Sequence, residues 1–287
     1  MPVALPAVYS VLRRRLPSIG KVTARMNTAP RSRSWKSLTF AGFVLVATSV
    51  GLGVTYVWST RPTIIHGSID VNNQRREYRL VIPRSADGLT SVPVVVALHG
   101  ANDTTDEMAA STGLDQLAVD KGFLLVYLQG RILNWPPFIP PENPNILEPD
   151  LRFFGAMCDF MVSRHHADPQ RIYLLGVSQG GAMANAMTAR CSERIAATVV
   201  GCGWMPEPLD VEPLGTRHKC PLLFVVGSQD RQVPPEAVRA AHDVFAREGH
   251  PVEFRVIEGF GHGWPRAENE RVWEFLAAHR LPETAAE

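Results

Sequence analysis

After residue 62 the chain alternates short, strongly apolar runs with longer stretches of mixed polarity. Val92 to Leu98 (VPVVVAL) and Phe123 to Leu128 (FLLVYL) are almost continuously apolar, as strands buried on both faces of a parallel sheet are. Arg171 to Gly176, Ala196 to Val200, Leu222 to Val226 and Val252 to Ile257 read as further strands. Helical stretches fall between and after them, around Glu107 to Asp120, Asp150 to Arg164, Gln179 to Arg190, Pro235 to Arg247 and Glu268 to His279. Ahead of this alternation, Thr63 to Val71 and Arg75 to Ile82 flank Asn72-Asn73 and predict a β-hairpin. Strands alternating with helices imply a mainly parallel α/β sheet, with ligands at the strands' carboxyl ends. Residues 129–149 break the rhythm with six prolines, Trp135 and Phe138, and read as a long loop beside the site.

A different pattern precedes residue 61. Leu38 to Trp58 contains no charged residue, enough helix to span roughly 30 Å of hydrocarbon, and Tyr56 and Trp58 sit at its far end. Residues 1–36 carry eight Lys or Arg and no Asp or Glu. The expectation is a basic cytoplasmic tail (1–37), a transmembrane anchor (38–58) and an exported domain (61–287), with a cleaved signal peptide as the alternative. Met26 offers an alternative start with a shorter leader. Removing the tail leaves 21 basic and 28 acidic residues, so the body is mildly acidic and nucleic acid is not an expected partner.

The candidate chemistry centres on Ser178 in Gly176-Val177-Ser178-Gln179-Gly180, between a buried strand and a helix. Small residues at such a junction permit the sharp turn that exposes a nucleophilic hydroxyl. A serine needs a base to take its proton and a third group to orient that base. Asp230 follows the strand Leu222 to Val226, and His262 follows the last strand between Gly261 and Gly263. The order Ser, Asp, His distinguishes this chain from chymotrypsin-like and subtilisin-like arrangements. Oxyanion donors are expected from the backbone N–H of Gln179 and of Ala101, after His99-Gly100, with His99 shaping that loop.

These pieces resemble the polyhydroxybutyrate depolymerase and feruloyl esterase branch of the α/β hydrolases. The resemblance rests on REYRLVIP (Arg76 to Pro83), VVVALHG (Val94 to Gly100), DPQRIYLLGVSQGGAM (Asp168 to Met183), GSQDRQVP (Gly227 to Pro234) and GHGWP (Gly261 to Pro265). It covers about His66 to Leu281, and it implies an α/β-hydrolase fold, a catalytic Ser178, Asp230 and His262, and no metal or organic cofactor. Ala101-Asn102-Asp103 and Gln179 depart from the family's usual residues around the oxyanion region.

The implied activity is serine carboxylester hydrolysis on an extracytoplasmic feruloyl, sugar acetate or hydroxyalkanoate ester, small or polymeric. A peptidase or acyltransferase using the same triad, and an anchored non-catalytic binding module, are the alternatives. Trp135, Phe138, Trp204 and Trp264 are candidate substrate-binding aromatics, since all fall in loops at strand carboxyl ends. Cys158, Cys191, Cys202 and Cys220 lack metal-ligand spacing, and a Cys191 to Cys220 disulfide is the expected pairing if one forms.

Overall fold

The computed structural model describes residues 61–209, 214, 216 and 218–283. The expected tail and anchor therefore lie outside the described residues, among which no helix is long and apolar enough to cross a membrane. Eight strands form one sheet: β1 (Thr63–Val71), β2 (Gln74–Ile82), β3 (Val92–Leu98), β4 (Leu124–Leu128), β5 (Ala167–Val177), β6 (Ala197–Gly201), β7 (Leu222–Gly227) and β8 (Val252–Ile257). Their order is β1-β2-β4-β3-β5-β6-β7-β8. The first two strands pair antiparallel with each other, β2 pairs antiparallel with β4, and every later pair is parallel. This is the mainly parallel α/β-hydrolase sheet that the alternating pattern and the motifs implied.

The strands form where the apolar runs predicted them. Every residue of β4, β6 and β7 is buried, as covering by helices on both faces requires. Asn72 and Asn73 both take positive φ, 50° and 61°, which a two-residue hairpin turn demands and asparagine tolerates. The helices are α1 (Thr105–Thr112), α2 (Leu114–Lys121), α3 (Glu148–His165), α4 (Gln179–Cys191), α5 (Pro235–Arg247) and α6 (Asn269–Ala277). On one face α2 meets α6, where Phe123 stacks on Trp273 at 4.4 Å between ring centroids; on the other, α3 meets α4.

Two expectations need correction. The single helix expected from Glu107 to Asp120 is two, because Gly113 adopts φ 68° and both ends α1 and begins α2. The Cys191 to Cys220 disulfide is absent, and all four cysteines are free thiols. Cys220 is buried against Thr198 of β6, with Sγ 3.7 Å from the hydroxyl, whereas Cys191 ends α4 within the electrostatic reach of Cys158 on α3.

The loop after β4 is anchored from below by a buried ion pair. Arg76 on β2 contacts Asp150 at 2.7 Å, with 4% and 1% of the two side chains exposed. The same guanidinium donates to the carbonyls of Pro149 and Gln129 and lies 4.2 Å over the Phe153 ring. Arg131 reaches the second Asp150 oxygen at 3.3 Å. Removing one partner of such a pair strands a charge in the interior. Asp150→Ala is expected to destabilise the domain by about 3–5 kcal/mol, measured by urea denaturation; a change below about 1 kcal/mol would show that the pair is not a structural anchor.

Candidate active site

Ser178 sits between β5 and α4 with φ 57° and ψ −121°, a backbone conformation that costs a non-glycine residue on the order of 1–3 kcal/mol. Surrounding contacts impose it. Ser178 N donates to Gly201 O at 2.8 Å, and Ala182 N donates to Ser178 O at 3.0 Å. The two glycines of the motif are required by space: a Cβ on Gly176 would lie 2.1 Å from Gly180 O, and one on Gly180 would lie 2.2 Å from Leu98 O. The first turn of α4 is thus pressed directly onto the carboxyl end of β3.

The three residues expected from sequence meet here. The Ser178 hydroxyl donates to His262 Nε2 at 2.9 Å, and His262 Nδ1–H donates to Asp230 Oδ2 at 2.8 Å. These directions follow because a carboxylate can only accept. The Asp230 side chain is fully buried, and its other oxygen accepts from Gln232 N and Val233 N, both at 2.9 Å. Asp230 is thereby held by its own loop as well as by the histidine. His262 lies in the turn after β8, between Gly261 and Gly263, and keeps 18% of its side chain exposed.

On the other side of the serine, a Cβ built on Gly100 would fall 3.6 Å from Ser178 Cβ, so the turn after β3 overhangs Ser178. That turn is bonded to the loop after β4. Asn102 and Asn134 exchange two hydrogen bonds, from Asn102 N to Asn134 Oδ1 at 3.2 Å and from Asn134 Nδ2 to Asn102 Oδ1 at 3.1 Å. Gln129 Oε1 accepts from Thr105 N at 3.2 Å.

The four aromatic candidates separate into two pairs. Trp135 is only 1% exposed: its Nε1–H donates to His99 O at 2.9 Å, and its ring tilts against that of His99. Trp264 is likewise buried, packed on Gly201 with its Nε1–H donating to Asn269 at 2.7 Å. Both rings are thus buried and bonded within the protein, where the sequence had suggested open loop aromatics. Phe138 is 53% exposed and Trp204 half-buried, and the Trp204 Nε1–H donates to Pro137 O at 3.1 Å. Ile139 N donates to Glu207 O at 2.9 Å, so the loops carrying these two rings are tied together.

The sequence reading gave Cys202 no place at the site. It follows β6, the parallel neighbour of β5, and this adjacency was the available signal for its place beside the nucleophile. Its sulfur, the Asp230 carboxylate and a ring nitrogen of His262 lie within 4.8 Å of one another. Both histidine nitrogens and both Asp230 oxygens are already engaged within the protein. Burial pushes the Cys202 thiol up to about 11, and its S–H donates to Gly263 O at 3.7 Å.

Residues 154–280, which include Ser178, Asp230 and His262, match the Phospholipase/Carboxylesterase family. A feruloyl esterase B of Neurospora crassa is 29% identical over 138 residues, covering 47% of this chain and 43% of that protein. Poly(3-hydroxyalkanoate) depolymerase C of Paucimonas lemoignei is 31% identical over 106 residues, covering 34% of this chain and 25% of that one. The chain spans about half or less of the length of the curated relatives it matches. A solved ferulic acid esterase superposes with a TM-score of 0.58 at 17% identity, over 76% of this chain and 97% of its own, which shows a shared fold. The resemblance read from the motifs is borne out.

The Cys202 environment has a chemical consequence, because alkylation requires the thiolate. Iodoacetamide at pH 8 is expected to leave Cys202 unmodified in the folded protein and to modify it after denaturation, read by peptide mass. Rapid alkylation in the native state would contradict the burial.

Proposed function

We propose that this α/β hydrolase is a serine carboxylester hydrolase that works through an acyl-enzyme. The observation that carries the reading is the continuous line of hydrogen bonds from Ser178 through His262 to a fully buried Asp230. In this reading Ser178 Oγ attacks the ester carbonyl carbon while its proton passes to His262 Nε2. The imidazolium so formed is stabilised by Asp230, which stays ionised and keeps the ring oriented. The developing oxyanion is met by Gln179 N and Ala101 N; among the described residues neither amide donates to a protein acceptor. His262 then returns its proton to the leaving alkoxide, and water, deprotonated by the same nitrogen, releases the acid.

The substrate belongs, in this reading, to the esters of aromatic, acetyl or hydroxyalkanoyl acids, held at their alcohol or acyl side by Phe138 and Trp204. Support comes from those two open rings, tied together at the rim, and from relatives named for feruloyl and hydroxyalkanoate esters. The catalytic domain acts outside the cytoplasm, tethered through residues 38–58. Support for that part is the uncharged run from Leu38 to Trp58 behind a basic flank.

Ser178→Ala is expected to abolish ester hydrolysis and labelling by a fluorophosphonate, without a change in melting temperature beyond a few degrees. A screen over short acyl, feruloyl, sugar acetate and hydroxyalkanoate esters identifies the acyl group. Retained hydrolysis in Ser178→Ala would refute the mechanism, and cleavage of peptides in preference to esters would move the chain to the peptidase reading.

A further inference from the structure

The contacts of His99 determine where its proton lies. Gly130 N, which can only donate, points at His99 Nε2 from 2.9 Å, and Gln129 Nε2 approaches the same atom at 2.9 Å. That nitrogen is therefore an acceptor, and the neutral ring carries its proton on Nδ1. Nδ1–H donates to Gly100 O at 2.7 Å. Burial holds the imidazole below the usual histidine range and so favours this neutral form. The residue is fully buried and both nitrogens are occupied, so it is not placed to exchange protons with a substrate.

Gly100 O belongs to the same peptide unit as Ala101 N. That unit is planar and trans, so its C=O and N–H point in opposite directions. Fixing the oxygen on His99 aims the Ala101 N–H away from the imidazole. The preceding carbonyl, His99 O, accepts from Trp135 Nε1 at 2.9 Å. Trp135 N in turn donates to the side-chain Oε1 of Gln179 at 3.0 Å. The series of bonds that starts at one expected oxyanion donor, Ala101, thus ends on the side chain of the residue that supplies the other.

We propose that His99 is a positioning residue for the oxyanion hole, that its Nδ1–H sets the direction of the Ala101 N–H, and that the Gln179 side chain acting through Trp135 holds the two donors at a fixed separation. The proposal rests on the serine esterase reading. It gives His99, Trp135 and the Gln179 amide effects on the transition state that exceed their effects on substrate binding. Deleting an oxyanion donor outright lowers kcat on the order of 100-fold to 1,000-fold, and a donor left in place but free to turn costs less.

The test compares His99→Asn, whose amide nitrogen can take the place of Nδ1, with His99→Gln, whose amide reaches the place of Nε2. Gln179→Ala, which keeps the backbone N–H, completes the set. With p-nitrophenyl acetate, His99→Gln and Gln179→Ala are expected to lose about tenfold to a hundredfold in kcat with KM within about threefold. His99→Asn should recover most of the loss. Second-order rates of fluorophosphonate labelling should follow the same order. Equal activity of the Asn and Gln variants at matched melting temperatures, or losses confined to KM, would overturn the proposal. Should the variants fail to fold, ¹⁵N spectra of the wild-type imidazole decide: a protonated Nε2 at pH 7 refutes the assignment, and a protonated Nδ1 upholds it. A wild-type chain that no fluorophosphonate labels would instead defeat the underlying esterase reading.

Discussion

The site depends on one steric fact, the contact between the end of β3 and the first turn of α4. With the Gly180 Cα close enough to Leu98 O that a methyl group would lie 2.2 Å from it, the two segments hold no side chain between them. Ser178 and the overhanging turn that faces it are therefore set at one distance by backbone alone. The strained conformation of Ser178 is part of the same contact. A serine at φ 57° persists because β6, α4 and β3 restrain it together, and relaxing it would require separating α4 from the sheet. Asp230 and His262 are then brought to the serine from the ends of β7 and β8, whose order in the sheet places them on the same side.

Much of this was legible in the sequence because the signals were strong and local. Apolar runs of five to seven residues located the strands, and the Gly-Val-Ser-Gln-Gly spacing reported a turn that admits nothing larger at its flanks. Order along the chain identified Asp230 and His262, since each follows its own strand. The loops were less legible. Trp135 and Trp264 look like surface aromatics when only their proline and glycine neighbours are seen. Their burial comes from partners 36 and 63 positions away, His99 for the one and Gly201 for the other, and no local pattern carries that information. The cysteines failed for a related reason: chain position suggested that Cys191 and Cys220 share an edge, whereas the Cys220 thiol is held against Thr198 of β6 and Cys191 lies toward Cys158 of α3.

The buried polar groups near the serine form two connected sets. One runs from Ser178 through His262 to Asp230, and the proposed mechanism assigns proton transfer to it. The other runs from Gln179 through Trp135 and His99 to Gly100, and it contains no group in a position to titrate against substrate. In a low-dielectric interior, fully bonded networks of this kind are rigid, and partly bonded ones are costly. The segregation means that proton movement on the histidine side does not require the donors on the other side to rearrange.

The rim of the site is built differently. Phe138 and Trp204 are held by loop-to-loop bonds, Trp204 to Pro137 and Ile139 to Glu207, that touch neither polar set. Replacing the Phe138 and Trp204 side chains would leave the bonds of Ser178, His262 and Asp230 and those of Gln179, Trp135 and His99 in place. If these rim rings hold the substrate, as proposed, its preference can drift or be redesigned at Phe138 and Trp204 while Trp135, in the same loop as Phe138, stays under the separate constraint of the buried network.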